Sequence, residues 1–476
     1  MTQTPSGSKQ AVPAFIDKLE VTSNKDQSKN VSLATGIVRV MYYESILQDT
    51  VKAEVTFIDT GNSIDGKSVI EGLPLVGTEE VTLKFRDNNE NSVKTTLYVN
   101  KVTPGAEDTV GTLVQLDLVS EEFIRNEEGK SRVNIRFDGK ISDHIKRICE
   151  DFLMTEKELD IEETSNNYNF LGNNQKPYYV INWLSKASVP STAGEKGKSA
   201  GFFFFETADG FKFKSIDGLF DQKQKKSLIF NQSAELPAGY DTKVLDQEGD
   251  NRINAQEKFK MGAYGTRIVV FDPFNCHYEV IKQTADETEE GTQLGGKELP
   301  TLNEKFDPKE TFTRTTYMLI DTGTLPTGTT EQQIDGSTEQ NFESQKVLNQ
   351  AIRRYNQMFT GMQTVTIAGD FSLHAGDVVF FDKPGLRAEK GDDLDKESGG
   401  LYIIADLCHY ISSKETYTKL NLVRDSFGRK GNHTTSIPLW VKREVFSNIS
   451  MMTKICWIMQ HCHHRCVVTQ KTSCII

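Results

Sequence analysis

The strictest constraint on this chain is an alternation of apolar and polar residues that recurs through its first quarter. The run "VKAEVTFID" puts Val51, Ala53, Val55 and Phe57 on one face, and "VTLKF" does the same with Val81, Leu83 and Phe85. A period of two is the signature of an extended strand with one buried face, because successive side chains point to opposite sides of a sheet. "TLVQLDL" reads as a third such run, headed by Leu113 and broken at Gln115. Glycine-containing connections such as "DTGNSIDG" and "EGLPLVGTE" separate the runs. Several short strands divided by turns predict a small antiparallel barrel or sandwich over residues 15–123.

Near residue 140 the period changes. In "SDHIKRICEDFLM", Ile145, Ile148, Cys149, Phe152 and Leu153 follow a 3.6-residue spacing, which predicts an amphipathic helix with Ser142 as N-cap and Asp143 in its first turn. A second helix includes "VINWLSKAS". "GFFFFETADGFKFKS" reads as a hairpin turning at Asp209-Gly210. Residues 124–235 therefore form an α+β domain between strand-rich regions.

Strands resume at "TRIVVFD" and "CHYEVIK", and polar stretches over about 284–340 read as loop insertions. A helix follows, with Val347, Leu348, Ala351, Ile352, Tyr355 and Phe359 on one face. After it come "MQTVTIAGDFSLHAGDVVFFD" and "GGLYIIADLCHYISSKETYTKLNLVRD", a second barrel-like set ending near Asp425. Gly376 and Asp377 mark a corner between its strands. The expected organisation is a leader (1–14), a first barrel (15–123), an inserted α+β domain (124–235), a second barrel (236–425) and a tail (426–476). The fold class is α+β, β-rich and multidomain.

Charge excludes some functions. With 55 basic and 67 acidic residues the net charge is −12, which disfavours a surface that clamps nucleic-acid phosphates. The first residues, "MTQTPSGSKQ", lack the basic and apolar regions of a secretory signal, and no apolar run of bilayer length is present. Folding in a cytoplasm without membrane insertion is the expectation. Cys149, Cys276 and Cys408 are scattered, as buried reduced thiols would be, whereas Cys456, Cys462, Cys466 and Cys474 crowd the end of the chain.

Two stretches contain metal-ligand residue types. "DQEGDNRINAQE" has Asp246, Glu248, Asp250, Asn254 and Glu257 at calcium-loop positions, but Asn251 stands where such loops carry glycine. "SAELPAGYDTKVL" ahead of it holds Pro237 and Gly239 where a helix is required, so an acidic surface turn leading into a short helix is the better reading. The terminal Cys462, His463, His464 and Cys466 lack the paired spacing of a zinc module, and so abrupt a compositional break equally suits a foreign or frame-shifted tail. His144, His277, His374 and His409 have no orienting partner in sequence. No phosphate loop, HExxH or GxSxG is present. No catalytic, cofactor-binding or metal residue is assigned, and no cofactor is expected.

The order and spacing of "YYESILQDTVKAEVTFIDTG", "LPLVGTEEVTLKF", "ISDHIKRICEDFL", "PYYVINWLSKAS", "GFFFFETADGFKFKSI", "MGAYGTRIVVFDPF", "RRYNQMFTGMQTVTIAGDFSLHAGDVVFF" and "TKLNLVRD" resemble the baseplate hub proteins of contractile-tailed bacteriophages. The likeness spans residues 12–425 and is to the hubs of large myoviruses, those of marine cyanobacteria included. It implies a non-enzymatic structural virion protein with two similar barrels per chain. It also implies a homotrimer whose pseudo-sixfold ring joins the tail tube protein to the threefold central spike protein. Other baseplate proteins surround such a ring, and DNA passes through it without specific binding during genome ejection. Two alternatives stay open. One is the hub of a tail-derived injection particle or type VI-like secretion spike; the other is a hub fused to a metal-binding or cell-wall hydrolase module.

Overall fold

The computed structural model describes residues 12–64, 66–108, 111–191, 200–231, 235–251, 254–273, 276–284, 292–300, 302–306, 314–319, 328–332, 344–385, 394–395 and 397–431. All of these but Pro237–Tyr240 belong to one compact unit of the chain. The terminal Cys456, Cys462, His463, His464, Cys466 and Cys474 lie outside the described residues.

The N-terminal alternation forms β1 (Phe15–Thr22), β2 (Asn30–Ser32), β3 (Ile37–Ser45), β4 (Lys52–Asp59), β5 (Glu80–Arg86), β6 (Ser92–Asp108) and β7 (Gly111–Val119), with a short helix α1 (Val69–Gly72) between β4 and β5. They pair in the order β3-β4-β7-β6-β5-β1-β2. Inward residues from β1 and β3–β7, including Leu19, Val40, Val55, Phe57, Leu83, Phe85, Leu97 and Leu116, fill one core, so the sheet rolls around its own apolar face. Val51, Ala53, Val55 and Phe57 are buried as their alternation predicts. The third run is read one residue out of step: Val114, Leu116 and Leu118 point inward, and Leu113 is 37% exposed. A single-residue shift moves every side chain to the other face, and Gln115 therefore belongs to the outward set rather than interrupting the inward one.

The middle region carries α2 (Glu121–Arg125), β8 (Arg136–Phe137), α3 (Ile141–Arg147), β9 (Leu159–Ile161), β10 (Phe170–Leu171), α4 (Pro177–Ala187), β11 (Phe202–Thr207), β12 (Gly210–Ser215) and α5 (Ile216–Phe220). Helix α3 runs on into a π-helical turn at Ile148–Phe152. The N-cap of α3 is Lys140, not Ser142; Ser142 is buried inside the helix, and its N–H donates to Thr164 Oγ1 at 3.0 Å. The β11–β12 hairpin pairs Thr207 with Gly210, so its two turn residues are Ala208 and Asp209. The unbroken "FFFFET" run is explained by burial on both sides. Phe202 and Phe204 pack with α3 and α4, whereas Phe203 and Phe205 pack with residues from the C-terminal strands.

Six further strands close a second barrel. They are β13 (Lys226–Ile229), β14 (Thr242–Asn251), β18 (Gly361–Ala368), β19 (Val378–Asp382), β20 (Gly400–Ser412) and β21 (Thr416–Arg424). Their order β19-β13-β14-β18-β21-β20 is completed by a β19–β20 pairing. β13 thus leaves the middle region to pair in parallel with both β14 and β19. Asp246–Asn251 are part of β14 rather than an acidic turn, and β14 pairs with β18 across two register shifts. The helix expected next is α6 (Ala255–Met261), capped by the Asn254 side chain. β15 (Gly265–Asp272), β16 (His277–Thr284) and β17 (Arg314–Leu319) form a separate three-stranded sheet, with β17 parallel to β15 inside the stretch expected to be loop. Helix α7 (Ser344–Met358) contacts β15 and β16.

The two barrel-like bodies are one sheet. β20 is thirteen residues long; its first part pairs with β19 and its last part, Asp406–Ser412, pairs with Arg39–Ser45 of β3, giving a continuous thirteen-stranded order. Ala14, leading into β1, donates its N–H to Thr416 Oγ1 on β21 at 2.8 Å, and Phe371 and Ile411 complete the first barrel's core. The corner expected at Gly376 is real: its φ is +85°, and a Cβ there would lie 2.7 Å from the Phe205 ring. Gly376→Ala should therefore lower stability by about 2 kcal/mol or more, from left-handed strain plus overpacking. Urea unfolding checks this, and a loss under about 0.5 kcal/mol would show that the corner relaxes freely.

Candidate functional site

The most elaborate chemistry lies where the first barrel, the middle region and the second barrel meet, in three clusters of buried charge. The first is centred on Glu44, whose inward position follows from the alternation Val40, Tyr42, Glu44 along β3. Its carboxylate accepts from the Tyr42 hydroxyl at 3.1 Å, from Ala208 N–H at 2.8 Å and from Ala375 N–H at 2.9 Å; His374 Nδ1 lies 3.1 Å away. One side chain thus ties β3, the tip of the β11–β12 hairpin and the β18–β19 connection together. His374 has the orienting partner that its sequence neighbours do not provide. Its own N–H donates to Asp377 Oδ2 at 2.7 Å, and Asp377 pairs with Lys225 at 2.8 Å.

Burial pulls His374 down, but the Glu44 hydrogen bond and charge, with Asp209 adding and Lys225 opposing, leave its pKa above the usual histidine value. For Glu44, burial pushes upward and is outweighed by His374 and by the N–H groups of Ala375 and Ala208, so its pKa is lowered. His409, buried against Tyr42 and Phe371, is pushed down to about 4 by desolvation; its Nδ1 lies 3.0 Å from Thr418 Oγ1. A raised histidine contributes stability that is complete below about pH 6.5 and is lost as pH rises through its folded pKa. His409 acts in the opposite sense: stability falls as pH drops from about 6.5 towards about 4. Glu44 supports the fold above about pH 4.3 and loses that effect as pH falls through its lowered pKa. Urea midpoints compared between pH 4.5 and 9 should then show His374→Gln removing part of the alkaline decline and His409→Gln part of the acid decline. Slopes identical to wild type in both variants would refute the assignment.

The second cluster is between the first barrel and the middle region. Lys157 lies between two carboxylates, 2.6 Å from Glu122 and 2.7 Å from Glu206, both nearly inaccessible to solvent. Glu206 also accepts from Val51 N–H at 3.0 Å and from the Ser120 hydroxyl. Desolvation raises the Glu206 pKa, with the neighbouring Glu122 adding and Lys157 opposing. The third cluster holds the far side. Arg354 of α7 reaches Asp217 on α5 and Asp425 after β21, each at 3.0 Å, and all three side chains are buried. Those carboxylates also receive backbone N–H groups of Gln293 (3.0 Å) and Gly295 (2.9 Å), and Lys297 and Glu298 pair with Phe427. Part of the polar stretch expected to be loop is thus a strap fastened by buried carboxylates.

The other candidate residues are dispersed. His144 is buried, with Nε2 2.9 Å from the Tyr168 carbonyl. His277 is exposed at the start of β16. Cys149 is buried and Cys408 half-buried as free thiols, whereas Cys276 is free but exposed, at a positive φ of 50°. Of the acidic residues in the calcium-like stretch, Glu248 pairs with Lys419 at 3.0 Å across the barrel surface. Among the described residues no group of three His, Cys, Asp or Glu is placed to hold a metal ion. No motif in the sequence marks the cluster residues; the only local signals are Glu44 at an inward strand position and Glu206 closing a run of four phenylalanines.

No family model matches the chain, and no curated protein does. Solved structures do. The fold is similar to the 43 kDa tail protein of prophage MuSo2 from Shewanella oneidensis, with a TM-score of 0.48, 11% identity, and 86% of this chain and 98% of that one covered. It is similar to a tail protein from Neisseria meningitidis MC58, with a TM-score of 0.47, 9% identity, and 86% and 96% covered. A third similarity is to an E. coli component of the type VI secretion system, with a TM-score of 0.39, 8% identity, and 84% and 77% covered.

Proposed function

We propose that this chain is the baseplate hub subunit of a contractile phage tail, three copies forming a pseudo-sixfold ring between the sixfold tube and the threefold spike. The observation that carries the reading is the β3–β20 ladder, which fuses two barrel-like bodies into one sheet. A ring of six similar bodies made from three chains needs two bodies per chain held in a fixed relation, because closure of a rotational assembly tolerates no slack between them. A shared strand supplies that, the buried Glu44 cluster ties β3 to the β18–β19 connection across the same seam, and the Lys157 and Arg354 clusters fasten the middle region to the first and second barrel respectively. The role asks for rigidity, not turnover, and needs no cofactor. A net charge of −12 suits a conduit that DNA must leave freely. On this reading the protein works in the virion baseplate after assembly in the host cytoplasm.

Light scattering followed by negative-stain microscopy tests the proposal. Three chain masses and an open ring of near-sixfold outline are expected. A chain that stays monomeric both alone and with its spike partner would overturn it.

A further inference from the structure

The β11–β12 hairpin meets the second barrel at two places that differ in kind. Its base is apolar: Phe205 lies against Gly376 in the β18–β19 connection and packs with Ala375 and Val378. Its tip is polar. The Ala208 N–H donates to Glu44 Oε1 at 2.8 Å, and the Asp209 carboxylate stands 3.7 Å from His374 Nε2. The His374 side chain is 8% exposed and that of Asp209 66%, so the histidine is fixed while the aspartate is free to turn to water. The His374 ring thus lies between carboxylates from two distant parts of the chain, Glu44 at Nδ1 and Asp209 at Nε2. An imidazolium donates from both nitrogens, whereas a neutral ring donates from one and presents a lone pair at the other.

We propose that His374 is a proton-controlled latch on the hairpin tip, holding Asp209 when both ring nitrogens carry hydrogen and releasing it when Nε2 does not. Glu44 is buried and cannot turn away, so the neutral ring keeps its remaining hydrogen on Nδ1. Nε2 then faces the Asp209 carboxylate with a lone pair, and an attraction becomes a repulsion. The groups around the ring leave the switching to His374. From β3, burial pushes Glu44 up, but His374 and the Ala375 and Ala208 N–H groups bring it below its usual value, and Tyr42 is raised well above its ordinary range by burial and by Glu44. From β20, His409 is pushed down to about 4 by desolvation and is neutral near pH 7. Asp377 and Asp370 of the β18–β19 connection are paired with Lys225 and Lys226, and Glu206 at the hairpin base is paired with Lys157. His374 itself is pulled down by burial, but Glu44 and Asp209 bring it above the usual histidine value, so the latch is closed at and below neutral pH and opens in alkaline medium. It belongs to the single chain and does not depend on how copies assemble.

Amide exchange of the full chain at pH 6 and pH 9, corrected for the intrinsic pH dependence of exchange, tests the latch at the Ala208 N–H. In wild type, protection of Ala208 should fall about fivefold between the two values, the scale of one partly exposed ion pair. Asp209→Asn changes an exposed side chain and keeps its shape, so it should fold as wild type does and show the low, alkaline protection at both pH values. His374→Gln, which keeps a donor but does not titrate, should also give a flat profile. The exchange of the His374 ring C–H with pH reads the histidine directly, and its midpoint should move to lower pH in Asp209→Asn. Ala208 protection that is unchanged in wild type, or that falls alike in wild type and Asp209→Asn, would overturn the latch. A His374 midpoint that is the same with and without the Asp209 carboxylate would overturn it too.

Discussion

Replacing Arg354 by methionine should lower the unfolding free energy by about 3–5 kcal/mol, the cost of leaving buried carboxylates without their counter-ion. Arg354 and Asp425 are each 1% exposed at the side chain and Asp217 is 8% exposed, so water cannot take over the lost contacts. The damage should be local before it is global. Asp217 and Asp425 also hold the N–H groups of Gln293 and Gly295, so amide exchange at the 292–298 strap should accelerate before the barrel strands respond. A variant within about 1 kcal/mol of wild type by urea denaturation, or one whose strap amides stay protected, would show that the triad is not what fastens this region. Adding Asp217→Asn to Arg354→Met should recover part of the loss, because one unpaired charge is removed while its hydrogen-bonding shape is kept.

Lys157→Met carries the second large effect, about 3 kcal/mol or more near neutral pH, since Glu122 and Glu206 would then face each other buried and unneutralised. Its pH dependence distinguishes this cause from lost packing. Burial already raises the Glu206 pKa, and removing Lys157 takes away the opposing charge. A carboxyl whose folded pKa lies above its unfolded value of about 4.3 binds its proton more readily in the folded state, so the variant's deficit should shrink as pH falls from 8 to 5. A deficit that is flat across that range would assign the loss to the lysine stem instead.

Much of the fold is legible in the sequence because its signals are local. The runs at Val51–Phe57 and Val81–Phe85 dictate strands with a known inward face, which holds in the structure, and the stripe over Val347–Phe359 dictates a helix, which forms over Ser344–Met358. The helix's face does not hold, because of the stripe only Val347 and Ala351 are buried, and Asn349, Arg353, Arg354 and Gln357 are buried instead. The errors arise where local patterns are ambiguous. "TLVQLDL" contains apolar residues at both parities, so only pairing with β4 and β6 decides that Val114, Leu116 and Leu118 face the core. "DQEGDN" has the composition of a turn but is a strand, because β18 supplies a ladder that composition does not announce. Ser142 has the chemistry of an N-cap, but the helix begins at Ile141, so its cap is Lys140, two residues earlier.

The sequence by itself determined the strongly periodic segments, such as the Val51–Phe57 and Val81–Phe85 strands and the helix over Val347–Met358, that two barrel-like sets flank an α+β middle, and that the chain is acidic. Periodicity, capping and charge act within a few residues, and a linear reading reaches no farther. Only the tertiary structure decided that β20 serves both barrels, that β13 crosses from the middle region, and that Glu44, Lys157 and Arg354 become buried ties. Each of these depends on contacts between residues far apart in the chain. Glu44 and His374, 330 positions apart, are separate surface-type residues in sequence; the fold desolvates them together, and only then does each become the other's partner.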